Sequence, residues 1–315
     1  MKVTFWGVRG SIPAPISSLE IRDKISEVLK KGLKENISEE SQIDDFIDSL
    51  PAHSIGTAGG NTACVEINAS KNIIVFDSGT GIRVLGHKLM TGEFKKGEGT
   101  VHLFLSHTHW DHIMGFPFFV PAYVKGNSIN IYGCHPNLKD RFKNQHDPLH
   151  FPVHLESFSA NIEFQTIKPE EDFAIDDCII TPIALHHPGG SYGYRLEENG
   201  KKIAYATDSE YKDLTDNGLK KYLDFFYNCD ILIFDAMYTL SDALDKEDWG
   251  HSSSLIGAEI AMRAKIKTLI LFHHDPTHDD CALQDILNKT KKFLKKNAQH
   301  ECKVMLAHEG LTLEV

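Results

Sequence analysis

The amino-acid sequence predicts an α/β protein in which a sandwich of β-sheets is covered by helices. Short β-branched or aromatic segments, bounded by Gly, Asn and Ser, recur along the chain, and amphipathic helical patterns follow them at intervals. Hydrophobic residues make up 41% and charged residues 24% of the chain, which is typical of a globular protein and excludes a disordered tail or a fibre.

Strand patterns are found from the first residues onwards. The segment 197–201 contains Asn199-Gly200, a strong signal for a tight hairpin turn between two strands. The segments 230–234 and 268–272 are continuous apolar runs, as expected for strands that are buried on both faces. The complete set of predicted strands is 2–8, 61–68, 72–77, 101–106, 129–132, 162–167, 178–185, 192–196, 202–206, 230–234 and 268–272, with a final strand near Glu314.

Helices are predicted in three regions. Residues 252–264 begin with serines that suit an N-cap, and residues 279–296 carry an apolar stripe with lysines in the last turns. Residues 16–50 differ from their surroundings and predict two amphipathic helices inserted between the first two strands. This insertion could be a surface ornament, a lid or a dimer contact. Because no linker rich in Pro, Gly or Ser interrupts the chain, we expect residues 1–315 to form a single domain.

Composition excludes several functional classes. The 33 basic and 44 acidic residues give a net charge of 33 − 44 = −11, and no long basic stripe marks a general polyanion binder. No apolar run approaches the roughly 20 residues of a membrane span, and the first residues lack the apolar region of a signal peptide. The six cysteines form no C-x-x-C pair, which indicates reduced thiols. We therefore expect a cytoplasmic protein with no membrane partner.

The strongest chemical signal directly follows the predicted strand 101–106. His107, His109, Asp111 and His112 supply four potential metal ligands within six residues, in the pattern H-x-H-x-D-H. In extended chain, His107 and His109 leave the backbone on one face. No packing or capping requirement explains this cluster, so it predicts metal binding, with enough ligands for two centres.

Three later segments place further ligands at the ends of apolar runs. They are His186-His187, Asp208, and His273-His274. A carboxylate between two sets of histidines suits a bridging ligand, because each of its oxygens can reach a different metal.

This order of ligands resembles the metallo-β-lactamase superfamily, whose hallmark is H-x-H-x-D-H followed by His, Asp and His. The resemblance covers most of the chain and implies a four-layer αββα fold. Further motifs resemble the phosphodiesterase branch, which includes RNase Z and the phosphonate-pathway phosphodiesterase: GGNT at 59–62, DSGTG at 77–81, DAMY at 235–238 and WGHSS at 249–253. The opening VTFWGVRGSIPAP is most similar to cyclic-nucleotide phosphodiesterases of the phage anti-Pycsar type.

The resemblance implies roles for individual residues. One metal would be held by His107, His109 and His187, the other by Asp111, His112 and His274, with Asp208 as the bridge. Asp111 would also orient or deprotonate the attacking water. His251 would contact the phosphoryl oxygens, oriented by Asp235. His187 is preferred to His186 because it directly precedes the Pro-Gly turn, and alternation admits only one of His273 and His274, of which we choose His274.

The implied function is hydrolysis of cyclic 3′,5′-mononucleotides to linear nucleotides by a metal-bridging hydroxide. Two divalent ions would be the cofactors, with zinc expected and manganese as the alternative.

An RNase Z-like endoribonuclease, or another small phosphodiester hydrolase of the superfamily, is the alternative enzyme. Long nucleic acid is not the expected partner, because tRNA binding would need a basic arm, for which only residues 135–159 offer room. A non-hydrolytic protein that sequesters nucleotides is the alternative of another class. A homodimer is expected.

Overall fold

The computed structural model describes the backbone of residues 1–315 and every side chain except that of Leu244. Across these residues the strands form two seven-stranded sheets. The strands are β1 (Lys2–Gly7), β2 (Cys64–Ala69), β3 (Asn72–Phe76), β4 (Thr100–Leu105), β5 (Ser128–Gly133), β6 (Asn161–Thr166), β7 (Phe173–Ile175), β8 (Cys178–Leu185), β9 (Ser191–Glu198), β10 (Lys201–Ala206), β11 (Ile231–Asp235), β12 (Thr268–Phe272), β13 (Lys303–Leu306) and β14 (Thr312–Glu314).

Each sheet has parallel strands on one side and antiparallel strands on the other. The first sheet has the order β14-β1-β2-β3-β4-β5-β6 and is parallel from β3 to β6. The second has the order β13-β12-β11-β10-β9-β8-β7 and is parallel from β10 to β13. Strands β8 and β10 both pair antiparallel with β9, so they run in the same direction. The carboxyl ends of these parallel strands lie at one edge of each sheet.

The inner faces of the two sheets share an aromatic core. Phe76 of β3 stacks between Tyr194 and Tyr205 of the other sheet, with ring centroids 5.6 and 5.1 Å apart. Phe104 and Phe272 are fully buried in the same cluster. Buried aromatic rings contribute strongly to the packing of the two sheets, and the packed sheets confirm the predicted sandwich.

Helices cover the outer faces and complete four layers. They are α1 (Ser18–Lys34), α2 (Ile43–Ser49), α3 (Ala52–Ile55), α4 (Gly81–Leu89), α5 (Trp110–Ile113), α6 (Leu138–Gln145), α7 (Asp216–Phe226), α8 (Leu240–Asp245), α9 (Ser254–Arg263) and α10 (Asp280–Asn297). Helices α4 and α6 contribute to the core outside the first sheet, and α7, α9 and α10 to the core outside the second. Single turns of 3₁₀ helix at Glu40–Gln42, Glu93–Lys96, Phe116–Phe118, Val120–Tyr123 and Leu155–Ser157 join these elements.

Residues 16–50 form α1 and α2 between the first two strands, as the periodicity predicts. A capping box between Ser17 and Glu20 begins α1. Lys24 fixes the helix to the rest of the protein, because its Nζ donates to the Gly56 carbonyl at 2.7 Å and lies 2.8 Å from Asp280. The interpretation of this segment as an insertion stays a prediction.

Some elements were not predicted, and each has a weak local pattern. Strand β7 has three residues, α4 contains two glycines, and α6 has only Leu138 and Phe142 as buried apolar residues. Their conformations depend on contacts with the sheets more than on local sequence. Among the described residues, no helix is both long and apolar enough to cross a membrane.

Candidate metal centre

Every side chain of the candidate site lies just beyond the carboxyl end of a strand. His107 and His109 follow β4, and the short helix α5 carries Asp111 and His112. The three remaining contributors follow strands of the second sheet: His187 after β8, Asp208 after β10 and His273 after β12. The site is therefore assembled from both sheets at one edge of the sandwich, and the antiparallel and parallel pairings described above fix its geometry.

These residues form two groups that could each hold a metal ion. The first contains His107, His109, His187 and Asp208, and the second contains Asp111, His112, Asp208 and His273. In each group the potential ligand atoms lie within 4.8 Å of one another.

Asp208 belongs to both groups and presents a different oxygen to each. Its Oδ2 lies 3.6 Å from His107 Nε2 and 3.7 Å from His187 Nε2. Its Oδ1 lies 3.1 Å from the Nε2 atoms of both His112 and His273. This is the arrangement needed for a carboxylate that bridges two cations.

Asp111 completes the second group. Its Oδ2 lies 3.2 Å from His112 Nε2 and 3.1 Å from His273 Nε2, and it accepts a hydrogen bond of 2.8 Å from the backbone N–H of Ser11. The loop after β1 thus helps to position a side chain that is distant in sequence.

Three of the positioning residues adopt left-handed backbone conformations. Asp77 after β3, Asp208 and His273 have φ angles of 60°, 52° and 59°. Residues other than glycine rarely occupy this region, and such strain concentrates at functional sites. At each strand end, the left-handed conformation changes the direction of the side chain, which therefore does not follow the alternation of side chains along the strand.

Hydrogen bonds to residues outside the two ligand groups fix the ring orientation of three histidines. His112 Nδ1 donates to Asp77 Oδ2 at 2.8 Å, and His187 Nδ1 donates to the Gly250 carbonyl at 2.8 Å. Ser106 Oγ donates to Asp77 and so accepts from His107 Nδ1 at 3.1 Å. With Nδ1 engaged in these bonds, the Nε2 atoms of all three rings face the site, as metal binding requires.

Asp77 supports the site, although no role for it was inferred from the sequence. Its carboxylate also accepts from the Ser106 backbone at 2.7 Å and from the Tyr205 hydroxyl at 2.7 Å. The DSGTG motif drew attention to this position, but only the fold reveals that the carboxylate reaches His112.

The structure corrects the expectation for the last histidine ligand. His273, not His274, lies in the second group. Strict alternation after Phe272 favours His274, but the positive φ of His273 ends the alternation and directs that ring to Asp111 and Asp208. His274 points elsewhere, and its Nε2 donates to the carbonyl of Ala307 at 2.8 Å.

In the pair His186-His187, the second histidine is the potential metal ligand. His187 lies in the first group, whereas His186 is exposed and lies near Glu210 and Asp248 on the surface.

His251 and Asp235 lie beside both groups. His251 Nδ1 donates to Asp235 Oδ2 at 2.8 Å, and its ring centroid is 5.1 Å from that of His187 and 5.2 Å from that of His273. Burial lowers the pKa of His251, but the carboxylates, above all that of Asp235, outweigh this effect and raise it to about 9.

The protonation states of the first group and of the bridging carboxylate suit cation binding. Burial lowers the pKa of His107, His109 and His187, so these rings are neutral. Burial would raise the pKa of Asp208, but the surrounding histidines hold it well below its usual range, so the bridge is a carboxylate.

A further observation indicates that the first group of ligands fits a metal ion. His107 Nε2 is buried and, among the residues that the structure describes, has no hydrogen-bond partner. A buried polar atom without a partner is costly, and a cation between His107, His109, His187 and Asp208 would supply one. The imidazole and carboxylate ligands suit zinc and tolerate manganese.

A cavity of about 380 Å³ opens over the centre. Its lining comprises Ser11, Thr108, His109, Trp110, Asp111, Asp208 and His251. Substrate therefore reaches the site beside His109 and Asp111. Phe116 and Phe119, which follow the metal loop, are fully buried in the core outside the first sheet.

Comparison with known proteins agrees with this architecture. The chain is similar to a ribonuclease Z from Picrophilus torridus, with 22% identity over 76% of this chain and 88% of the relative. Among solved structures it resembles the metallo-β-lactamase fold protein YhfI from Bacillus subtilis, with a TM-score of 0.66 and 19% identity over 100% of this chain and 98% of YhfI. It also resembles yeast PDE1, with a TM-score of 0.67 and 14% identity over 100% of this chain and 99% of PDE1.

The family model described as the β-lactamase superfamily domain matches residues 72–274, which include every residue of both ligand groups. The chain belongs to the β-lactamase superfamily.

Proposed function

We propose that this chain is a metal-dependent phosphodiester hydrolase that converts cyclic 3′,5′-mononucleotides to linear nucleotides. The observation that carries the proposal is Asp208, whose two oxygens face two separate groups of histidine and aspartate ligands. A centre for two cations is the arrangement that phosphatases and nucleases use to cleave phosphate esters. The similarity to ribonuclease Z, whose name denotes cleavage of RNA, points to phosphodiesters.

The metal ligands follow from the two groups. His107, His109 and His187 would hold one ion and Asp111, His112 and His273 the other, with Asp208 between them. Bound divalent ions would supply a nucleophilic hydroxide near neutral pH and offset the negative charge of the phosphoryl group.

Asp111 is positioned to act on the attacking water. Its carboxylate lines the cavity over the centre, while Ser11 N–H and His273 hold one of its oxygens. A carboxylate held in this way can orient the water and accept its proton.

His251 is the candidate proton donor for the leaving oxygen. It lines the same cavity, and the hydrogen bond from its Nδ1 to Asp235 fixes the ring and favours its protonated form. When the substrate is a cyclic diester, the leaving oxygen stays attached to the sugar, and the product is a linear nucleotide.

Two properties of the chain support a small substrate. The net charge of −11 disfavours the extended phosphate contacts that bind long RNA. Residues 135–159, where an RNA-binding arm could lie, instead pack against the protein, with Leu138, Phe142, Leu155 and Phe158 buried in the outer core.

An RNase Z-like endoribonuclease is the second candidate, because the similar relatives carry that name. A non-hydrolytic protein that sequesters nucleotides is the candidate of another class. The endoribonuclease differs from the main proposal in its substrate, and the sequestering protein differs in binding nucleotides without turnover. A panel that measures both binding and turnover therefore separates the three.

The experiment measures turnover of cAMP, cGMP, cCMP and cUMP, and cleavage of a tRNA precursor with a 3′ trailer, by protein loaded with zinc or manganese. We expect linear nucleotides from at least one cyclic substrate. His251→Ala should lower kcat by about 10²–10⁴-fold if the residue is the proton donor. Cleavage of the precursor alone would establish the endoribonuclease instead, and binding without turnover would establish the sequestering protein.

We also propose that the protein is a homodimer formed through α1 and α2. These helices expose a large share of their apolar residues, as shown by Leu19, Ile21, Ile25, Leu29, Leu33, Ile43 and Ile47. The last turn of α1 is basic, with Lys31 and Lys34, and the first turn of α2 is acidic, with Asp44 and Asp45. In a two-fold pair, each α1 could therefore face the partner's α2 with complementary charge.

Light scattering tests this arrangement. The wild type should have twice the mass of the chain at micromolar concentration, and Leu33→Glu should give the monomer, because Leu33 is 78% exposed on the apolar stripe. Leu149→Glu, at another exposed leucine, is the matched control and should remain dimeric. A monomeric wild type, or dissociation by both variants alike, would contradict the proposal.

A further inference from the structure

A second cavity of about 410 Å³ adjoins the one over the metal centre. The two cavities share Thr108 and Trp110, so a molecule bound at the centre could extend directly into the second cavity. Its volume lies within the range of small-molecule sites. The remaining lining residues are Ile113, Arg141, Asn144, Gln145 and His150.

Trp110 lies at the boundary between the two cavities. It is placed between His109 and Asp111 in the chain, and its side chain is 81% exposed. Core packing therefore does not account for an indole at this position. A flat aromatic ring beside a reactive centre offers a stacking surface for another flat ring.

A polar part of the lining comes from one face of α6. Arg141, Asn144 and Gln145 are spaced i, i+3 and i+4, so their side chains leave the helix on the same side. Arg141 Nη1 donates to Thr108 Oγ1 at 2.8 Å, which orients the guanidinium and leaves its other N–H groups for a ligand.

Gln145 adds a carboxamide that is only partly hydrogen-bonded. Its Nε2 donates to the Ile113 carbonyl at 2.7 Å, but its Oε1 is buried and, within the described part of the chain, has no hydrogen-bond partner. A ligand donor would satisfy this oxygen once the carboxamide turned towards the cavity. An aromatic ring, carboxamides and a single cation together match a nucleobase, which has a flat face and an edge of donors and acceptors.

We propose that this second cavity binds the nucleobase of the substrate, with Trp110 stacking on its face and the polar groups of α6 contacting its edge. The phosphodiester would then lie over the metal centre. This inference rests on the proposed function in so far as the substrate is a nucleotide. The same base chemistry occurs in a cyclic mononucleotide and at the cleaved end of an RNA.

The first test measures binding without turnover. In the metal-loaded protein, adenosine 5′-monophosphate should quench tryptophan fluorescence, whereas ribose 5-phosphate, which has no base, should not. The quench should disappear in Trp110→Phe, which can still stack, and persist in Trp249→Phe, which removes the other strongly exposed tryptophan. Quenching that ribose 5-phosphate matches, or that survives in Trp110→Phe, would overturn the proposal.

The second test separates base binding from chemistry. Trp110→Ala should raise KM for a cyclic nucleotide by about 5- to 150-fold with kcat nearly unchanged, as expected for one lost stacking contact. The fall in kcat/KM should be smaller for 1-deoxyribose 3,5-cyclic phosphate, the substrate without its base. Trp110→Phe should recover most of the loss. An equal loss on both substrates, or no change in KM, would overturn the proposal.

The two tests also distinguish the possible failures. If no cyclic nucleotide is hydrolysed but adenosine 5′-monophosphate still quenches Trp110, the proposed function is wrong and the base site stands. If the tRNA precursor is cleaved instead, the same Trp110→Ala variant should raise KM for that precursor. If cyclic nucleotides are hydrolysed and Trp110→Ala leaves their KM unchanged, the base site is wrong and the function stands.

Discussion

The two halves of the metal centre are built to different designs. The first half uses three imidazoles, of which His109 is exposed at the mouth of the cavity. The second half is entirely buried and combines His112 and His273 with the carboxylate of Asp111. Its outer support also differs, since a buried carboxylate, Asp77, holds His112, whereas a backbone carbonyl holds His187. Only Asp208 is common to both halves.

This contrast indicates that the two halves differ in how tightly they bind metal. Burial and an anionic outer partner strengthen the ligands of the second half, because a carboxylate raises the basicity of the histidine that it holds. The first half is nearer to solvent and to the entrance for substrate. We therefore expect the buried half to bind its metal more tightly and the open half to exchange its metal more easily.

Removal of the shared ligand should have the largest effect. Asp208→Ala takes one oxygen from each half, so we expect loss of both metals and a fall in kcat/KM of at least about 10³-fold. Metal analysis of the purified variant, together with circular dichroism to show that it is folded, checks this result. A folded variant that retains one metal would show that the halves do not depend on a common bridge.

The adjacent pair His273 and His274 tests the assignment of the buried half. His273→Ala should remove one metal per chain and most of the activity, while the open half keeps its three imidazoles. His274→Ala should keep both metals and lose only thermal stability, by a few degrees, because its Nε2 bonds the Ala307 carbonyl. The reverse outcome for metal content would overturn the assignment.

Loss of the Asp77 charge should have an intermediate effect that is larger in the buried half than in the open half. Asp77→Asn keeps the shape of the side chain but removes the charge that supports His112. We expect metal affinity of the buried half to fall by about 10–100-fold. The loss in the open half should be smaller, because Asp77 acts on His107 only through Ser106. Titration of metal-free protein with zinc checks this, and an equal loss in both halves would contradict the difference between them.

The smallest effect is the difference in affinity between the halves of the unmodified protein. A chelator added in steps should remove one metal before the other, because the open half exchanges with solvent more easily. Loss of both metals in a single step would show that the halves behave as one unit. His109→Ala provides the control, since it should abolish the early step and leave the late one.

Local patterns in the sequence predicted much of the fold and most of the candidate site. Apolar runs that end in polar clusters located the strands and the residues His107, His109, Asp111, His112 and Asp208 that the structure brings together. The resemblance to the superfamily selected His187 over His186. The choice between His273 and His274 failed because the left-handed conformation of His273 is set by the fold, and alternation assumes an extended chain. Asp77 and Ser11 were missed because their contacts span 35 and 100 residues of sequence, which no local pattern reveals.

The occupancy of the centre is the most direct test of the account, and anomalous diffraction from crystals grown with zinc or manganese measures it. The account predicts two peaks about 3.5–4 Å apart, one beside His107, His109 and His187 and the other beside Asp111, His112 and His273, with Asp208 between them. A single peak, or metal bound only at the surface group of His186, Glu210 and Asp248, would contradict it.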